Sequence, residues 1–157
     1  MSENILEKII GKKTEKIKEL KKTISVNDLA EKISLCKSYY NFKDKILNNL
    51  NNNRFSIIAE IKKASPSAGI IIENYDPVNI ANIYKANNVT CLSVLTEEDF
   101  FLGNLIHISK IKQKNNLPIL CKDFFVDKFQ VHLSRSYGAD AILIILAGVT
   151  DEIAISL

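Results

Sequence analysis

Three charged side chains stand where apolar runs end, and they are the residues of this chain best placed to do chemistry. The first run, Phe55-Ser-Ile-Ile-Ala-Glu-Ile61, is followed by Lys62. Strand side chains alternate, so Ile58, Glu60 and Lys62 share one side while Ile57, Ala59 and Ile61 share the other. A carboxylate and an amine on an apolar strand are costly to bury unless paired or used. The competing reading is that the strand has ended and both charges are solvated. The third charge, Lys122, ends Leu117-Pro-Ile-Leu-Cys121 and extends the Leu120 side. A desolvated lysine near an anionic substrate acts as a general acid or an electrostatic anchor, whereas a surface lysine does neither. Between the first run and the next helical pattern lies Ala64-Ser65-Pro66-Ser67-Ala68-Gly69. Its hydroxyls and glycine would let donors approach an anion such as phosphate. Many ordinary turns share that composition.

Other chemistries find little support. Cys36, Cys91 and Cys121 are scattered, odd in number and without a CxxC partner. They read as reduced, mostly buried residues of a cytosolic protein. His107 and His132 lie apart with no acidic or cysteine cluster, which argues against a metal site. A G-x-G-x-x-G fingerprint after the first strand is absent.

The elements that must position these charges follow from periodicity. Residues 4–22 place Leu6, Ile9 or Ile10, Ile17 and Leu20 on one helical face, with Lys12, Lys13, Lys16 and Lys18 on the others. This predicts a surface helix with a solvated lysine face. An RNA- or membrane-binding helix would carry aromatic anchors, which are missing. Two shorter helices are expected near 26–34 and 42–51, the first capped by Asn27, and Asn51-Asn52-Asn53 reads as a loop. Asp76-Pro77 opens a helix through Ile80, Ile83 and Tyr84. Thr90-Cys-Leu-Ser-Val-Leu95 is a second strand, 103–115 a helix, Leu117–Cys121 a third strand, 127–137 a helix and 139–146 a fourth strand. Short, nearly all-apolar strands alternating with helices are the pattern of a parallel α/β sheet covered on both faces. Periodicity alone leaves a doubly wound sheet and part of a barrel equally open.

Composition bounds the class. The chain has 157 residues, 46% hydrophobic and 25% charged, which suits one soluble domain. A complete TIM barrel takes about 250. A net charge of +3 is too small to argue for nucleic acid. No apolar run approaches the roughly 20 residues of a membrane span. Met1-Ser2-Glu3-Asn4 leads into a charged segment, not an apolar leader, so a cytoplasmic protein is expected.

Four motifs in order carry a family resemblance. Ile58-Ala-Glu-Ile-Lys-Lys-Ala-Ser-Pro-Ser67 resembles the first barrel strand of indole-3-glycerol-phosphate synthases. Leu92-Ser-Val-Leu-Thr-Glu-Glu-Asp-Phe-Phe-Leu-Gly103 resembles their second strand and its loop. Pro118-Ile-Leu-Cys-Lys-Asp-Phe124 and Gly138-Ala-Asp-Ala-Ile-Leu-Ile145 resemble the third and fourth. The lysine-rich first helix is similar to the helix that precedes the barrel in this family. The resemblance covers nearly the whole chain. It implies a TIM (β/α)8 barrel, present here as an N-terminal helical extension (1–52) and about the first four β/α units (53–157), a truncated first half. A C-terminal half-barrel, or a fused phosphoribosylanthranilate isomerase domain, would belong to the full-length protein.

The resemblance also implies an activity. The family closes the indole ring of 1-(2-carboxyphenylamino)-1-deoxyribulose 5-phosphate, with loss of CO2 and water, and uses no cofactor or metal. The partner is thus a small phosphorylated substrate, with no nucleic acid and no membrane. Lys122 matches the general acid on the substrate carbonyl, Lys62 the lysine that holds the substrate carboxylate, and Glu60 the glutamate that assists acid–base steps. Ser65 matches a phosphate contact. Leu95, Phe101, Phe124 and Leu143 match apolar residues around the anthranilate ring, where core packing is the competing role. Ala68 departs from the lysine that many relatives carry there. The family's second glutamate, its asparagine and most of its phosphate pocket lie on strands five to eight. A catalytically inactive half-barrel remnant is the alternative. A different phosphosugar enzyme on the same fold is disfavoured by Glu60-x-Lys62 together with Lys122-Asp-Phe124.

Overall fold

The computed structural model describes residues 4–36 and 39–157. The leader-free start read from Met1, Ser2 and Glu3 lies outside the described residues. Three helices come first: α1 (Ile5–Thr23), α2 (Val26–Ser34) and α3 (Phe42–Asn51). Asn4 caps α1 by accepting from the Leu6 amide at 3.1 Å. The cap of α2 is Ser25, not Asn27. Ser25 Oγ accepts from the Asp28 amide at 3.1 Å, and Asp28 accepts from the Ser25 amide at 2.8 Å. This reciprocal capping box satisfies two orphan amides, which a single Asn27 cannot do. The asparagine run ends α3 and turns the chain, with Asn53 at φ 52°, a conformation asparagine tolerates.

The remaining elements are β1 (Ile58–Ile61), a hairpin of β2 (Ala64–Ser65) and β3 (Gly69–Ile70), α4 (Pro77–Ala86), β4 (Cys91–Leu95), α5 (Ile106–Lys112), β5 (Ile119–Lys122), α6 (Lys128–Ser136), β6 (Ala141–Ile142), a 3-10 turn (Leu146–Gly148) and α7 (Asp151–Ser156). Asp76 caps α4 through the Val78 and Asn79 amides, with Pro77 in the first turn. Helix α5 starts later than the spacing predicts. The Gly103 amide is held by the Glu97 carbonyl at 2.7 Å, and Asn104 accepts from the Ile106 amide at 2.9 Å. Both residues are therefore committed to the loop. The fourth strand is shorter than 139–146, because the ladder of β6 with β5 holds only the pairs Leu120–Ala141 and Cys121–Ile142.

Strands β1, β4, β5 and β6 form one parallel sheet in chain order. A doubly wound sheet reverses its order at a switch point, and this one does not. Right-handed crossovers of one sense place α4, α5 and α6 on the same face. That face is buried: Ala59, Ile61, Leu92, Val94, Ile119 and Cys121 pack with Ala81, Ile108 and Ile111. The opposite face carries Glu60 and Ile58, the latter 47% exposed. This is the winding of the first four units of a (β/α)8 barrel.

A second cluster, Ile17, Leu29, Phe129 and Leu133, fastens α1 and α2 onto α6. Leu29 is completely buried, and such burial contributes about 1.5–3 kcal/mol. The lysine face of α1 is not simply solvated. Lys13 is buried against Asp123 at 2.7 Å, Lys16 pairs with Glu98, Lys21 pairs with Asp127, and Lys12 sits 5.1 Å from the Phe100 ring. Of the lysines that amphipathic spacing assigned to water, Lys18 is exposed as expected, whereas Lys12, Lys13 and Lys16 meet acidic and aromatic residues of the loops following β4 and β5.

Candidate active site at the mouth of the sheet

The strand registers put the expected residues in order. Glu60 pairs with Ser93, Ser93 with Leu120, and Leu120 with Ala141. Partners in a parallel ladder point to the same side, so these four form one row on the face opposite the helices, with Ser93 of β4 buried at its centre. The next row toward the C-terminal ends contains Leu95 paired with Lys122. Lys62 and Leu143, each one residue beyond its paired segment, continue that row. Alternation along each strand thus separates a site-facing set from the core set named above. The burial of β5 follows it: Ile119 and Cys121 are buried, while Leu120 and Lys122 are partly exposed.

Glu60 sits between two ammonium groups. Lys62 Nζ lies 2.7 Å from its Oε1, and Lys122 Nζ donates to its Oε2. Neither the bare surface reading nor full burial applies, since about a third of each of these side chains is accessible. Burial pushes the Glu60 carboxyl up, but the hydrogen bonds from Lys122 and Lys62 outweigh it and leave its pKa below the usual value. One carboxylate shared by two ammoniums leaves one positive charge in excess. Such a site can hold an anion and place an N–H donor against a carbonyl oxygen that gains charge during reaction. Tyr84 of α4 secures the strand beneath by donating to the Glu60 carbonyl at 3.1 Å.

Ser65 belongs to the β2–β3 hairpin, an element that the sequence pattern did not reveal. Its hydroxyl accepts from the Ala68 amide at 3.2 Å and lies 3.5 Å from Ser67 Oγ. The Phe101 and Phe124 rings pack 6.2 Å apart at an interplanar angle of 40°. Leu95 is buried and Leu143 partly so. Among the described residues no group of three or more His, Cys, Asp or Glu side chains converges as metal ligands do.

Asp123, Thr96 and Lys13, none of which sequence reasoning placed at the site, support this mouth. Asp123, next to Lys122, faces away from it into a buried network. Its Oδ1 meets Lys13 at 2.7 Å and accepts from the Phe124 amide at 2.8 Å, while Oδ2 accepts from Thr96 Oγ1 at 2.7 Å. Helix α1, the end of β4 and the end of β5 are thereby tied together beside Lys122. The only signal in the sequence was an aspartate following the strand-end lysine, which has no partner until the chain folds.

A singly wound parallel sheet, with its polar residues gathered at the C-terminal ends of the strands, defines a (β/α)8-barrel protein, and the candidate site lies at the end of the sheet where such barrels bind ligands. The model of the family "Indole-3-glycerol phosphate synthase" matches residues 6–157. The chain is 40% identical to the indole-3-glycerol phosphate synthase of Acaryochloris marina over 149 residues, which are 95% of this chain and 48% of that protein. It is 45% identical to that of Desulforamulus reducens over 141 residues, covering 90% of this chain and 52% of the relative. For Alkaliphilus metalliredigens the identity is 41% over 148 residues, 94% of this chain and 56% of the relative. The chain belongs to the indole-3-glycerol phosphate synthase family. It spans about half the length of the curated relatives it matches.

Proposed function

We propose that this chain supplies the first half of an indole-3-glycerol phosphate synthase active site: an N-terminal helical extension over 1–52 and four barrel units over 53–157. The observation that carries this reading is the Lys62–Glu60–Lys122 group at the strand ends. Lys122 donates a proton to the carbonyl oxygen of 1-(2-carboxyphenylamino)-1-deoxyribulose 5-phosphate as the aromatic carbon attacks the carbonyl carbon. Lys62 holds the substrate carboxylate, which leaves as CO2. Loss of water then completes the indole ring. Glu60 orients both ammoniums and takes part in proton transfer. Ser65 contacts the phosphate, and Leu95, Phe101, Phe124 and Leu143 surround the anthranilate ring. The remaining barrel strands come from a C-terminal half. Among the described residues no helix is long and apolar enough to cross a membrane, and a biosynthetic reaction of this kind suits the cytoplasm.

The test is Lys122→Ala in the protein of full barrel length, followed by indole-3-glycerol phosphate formation. Losing a general acid lowers kcat by about 10²–10⁴-fold. Turnover within a few-fold of the unmutated protein would remove Lys122 from this role. A second reading, a catalytically inactive half-barrel, draws support from the exposed Ile58 and Phe55 around β1, since an uncovered sheet favours association over catalysis. Turnover of the 157-residue chain, assayed alone and with a complementing half-barrel, separates the two.

A further inference from the structure

The loop from β4 to α5 carries Phe101, and a carboxylate with no part in the scheme above sets its shape. Glu97 is 2% exposed, and among the described residues no lysine or arginine is paired with it. Its partners are consecutive backbone amides. Oε1 accepts from Asp99 N at 3.1 Å, and Oε2 accepts from Phe100 N at 2.7 Å and Phe101 N at 3.0 Å. Its carbonyl accepts from Gly103 N at 2.7 Å, closing the loop on the same residue. Two backbone features fit that closure. Leu102 takes the left-handed conformation at φ 52°. A Cβ on Gly103 would lie 2.9 Å from the Glu97 carbonyl oxygen and closer still to that of Leu95, so only glycine passes there. Three amides aimed at one carboxylate make a concave anion nest whose anion is part of the chain.

We propose that Glu97 is a positioning residue that presets Phe101 against Phe124 and so builds the aromatic wall of the pocket before substrate arrives. This rests on the synthase reading above. The Phe101 amide is the last donor in the nest, so the carboxylate and the ring occupy the two ends of one residue. Phe124 follows Lys122 by two residues, so the wall stands beside the acid. Glutamine at 97 would turn an NH2 group toward amides that need an acceptor. Aspartate lacks the methylene needed to span them.

The experiment uses the enzyme of full barrel length in four forms: unmutated, Glu97→Gln, Phe101→Leu and the double variant. Glu97→Gln is expected to raise KM at least about tenfold, the scale of one mismatched apolar contact, with kcat little changed. Phe101→Leu is expected to do the same, and adding Glu97→Gln to it to raise KM no further. Effects that multiply in the double variant, or an unchanged KM in Glu97→Gln, overturn the proposal. A fall in kcat alone, with KM intact, also overturns it. Amide exchange over 97–103 is expected to quicken in Glu97→Gln, and unchanged protection overturns the nest itself. If Glu97→Gln does not fold, Glu97→Asp carries the same comparison. Absent turnover in the unmutated enzyme would instead sink the synthase reading, and the exchange measurement would still decide the nest.

Discussion

Replacing Lys13 by methionine removes a cation that is 7% exposed and leaves the Asp123 carboxylate buried without it. Breaking a buried pair from one side costs about 3–5 kcal/mol, because the remaining charge is uncompensated. Asp123 keeps its bonds from Thr96 and the Phe124 amide, which places the loss near the lower end, about 3 kcal/mol. That is a large share of the roughly 5–15 kcal/mol that stabilises a typical domain. Urea unfolding followed by far-UV circular dichroism reads it directly. With a slope of about 1–3 kcal/mol per molar, the midpoint falls by about 1 M or more. Lys13→Met with Asp123→Asn is expected to lose less than the two single changes summed, because neither charge is then orphaned. Added salt is expected to leave the difference largely intact, since buried pairs are poorly screened. The Lys16–Glu98 pair, about 38% exposed on each side, supplies the contrast: Lys16→Ala is expected to cost under about 1 kcal/mol. A Lys13→Met midpoint indistinguishable from that of Lys16→Ala would refute the reasoning that burial sets the strength of this clamp.

Three further outcomes follow from the same structure. Burial pushes the Cys91 thiol up to about 11 and the Cys121 thiol up to about 12, so both are expected to resist iodoacetamide in the folded chain and react in urea, as peptide mass spectrometry would show. The Glu60 carboxyl titrates below its ordinary value, so its pairing contributes stability that is present above pH 4.5 and lost as pH falls through the folded value. The difference in urea midpoint between the unmutated chain and Glu60→Gln is therefore expected to shrink on acidification below 4.5, and a difference that grows would contradict the assignment. Asp140, whose side chain is fully buried, pairs with Lys112 and Arg135 and accepts from Ile119 N at 2.8 Å and Tyr40 N at 3.0 Å. Asp140→Asn orphans the buried Lys112 and is expected to cost about 3–5 kcal/mol, measured as a lowered thermal midpoint.

Much of this protein was legible in its residues alone. Period-two alternation placed Glu60 and Lys62 on one face and Lys122 on the Leu120 face, and the strand registers put them at one mouth. Local rules also located α4, where Asp76 and Pro77 satisfy and preset the first turn from adjacent positions. They also placed α2 at 26–34 but missed its cap, where Ser25 and Asp28 act as a pair, and they started α5 too early, because loop bonds delay that helix. Periodicity left a doubly wound sheet and a barrel wall equally open; the four motifs in order implied the barrel, and the strand order of the folded sheet agrees with it. Lys13 shows the same limit in a single side chain. Helical spacing reads it as one more solvated lysine. Its burial depends on Asp123, a residue far along the chain that is itself held by Thr96 and reaches Lys13 only after the helices close over the sheet. Alternation and capping are short-range and so were determined by the sequence itself, whereas the partner of a buried charge is a property of the packed molecule.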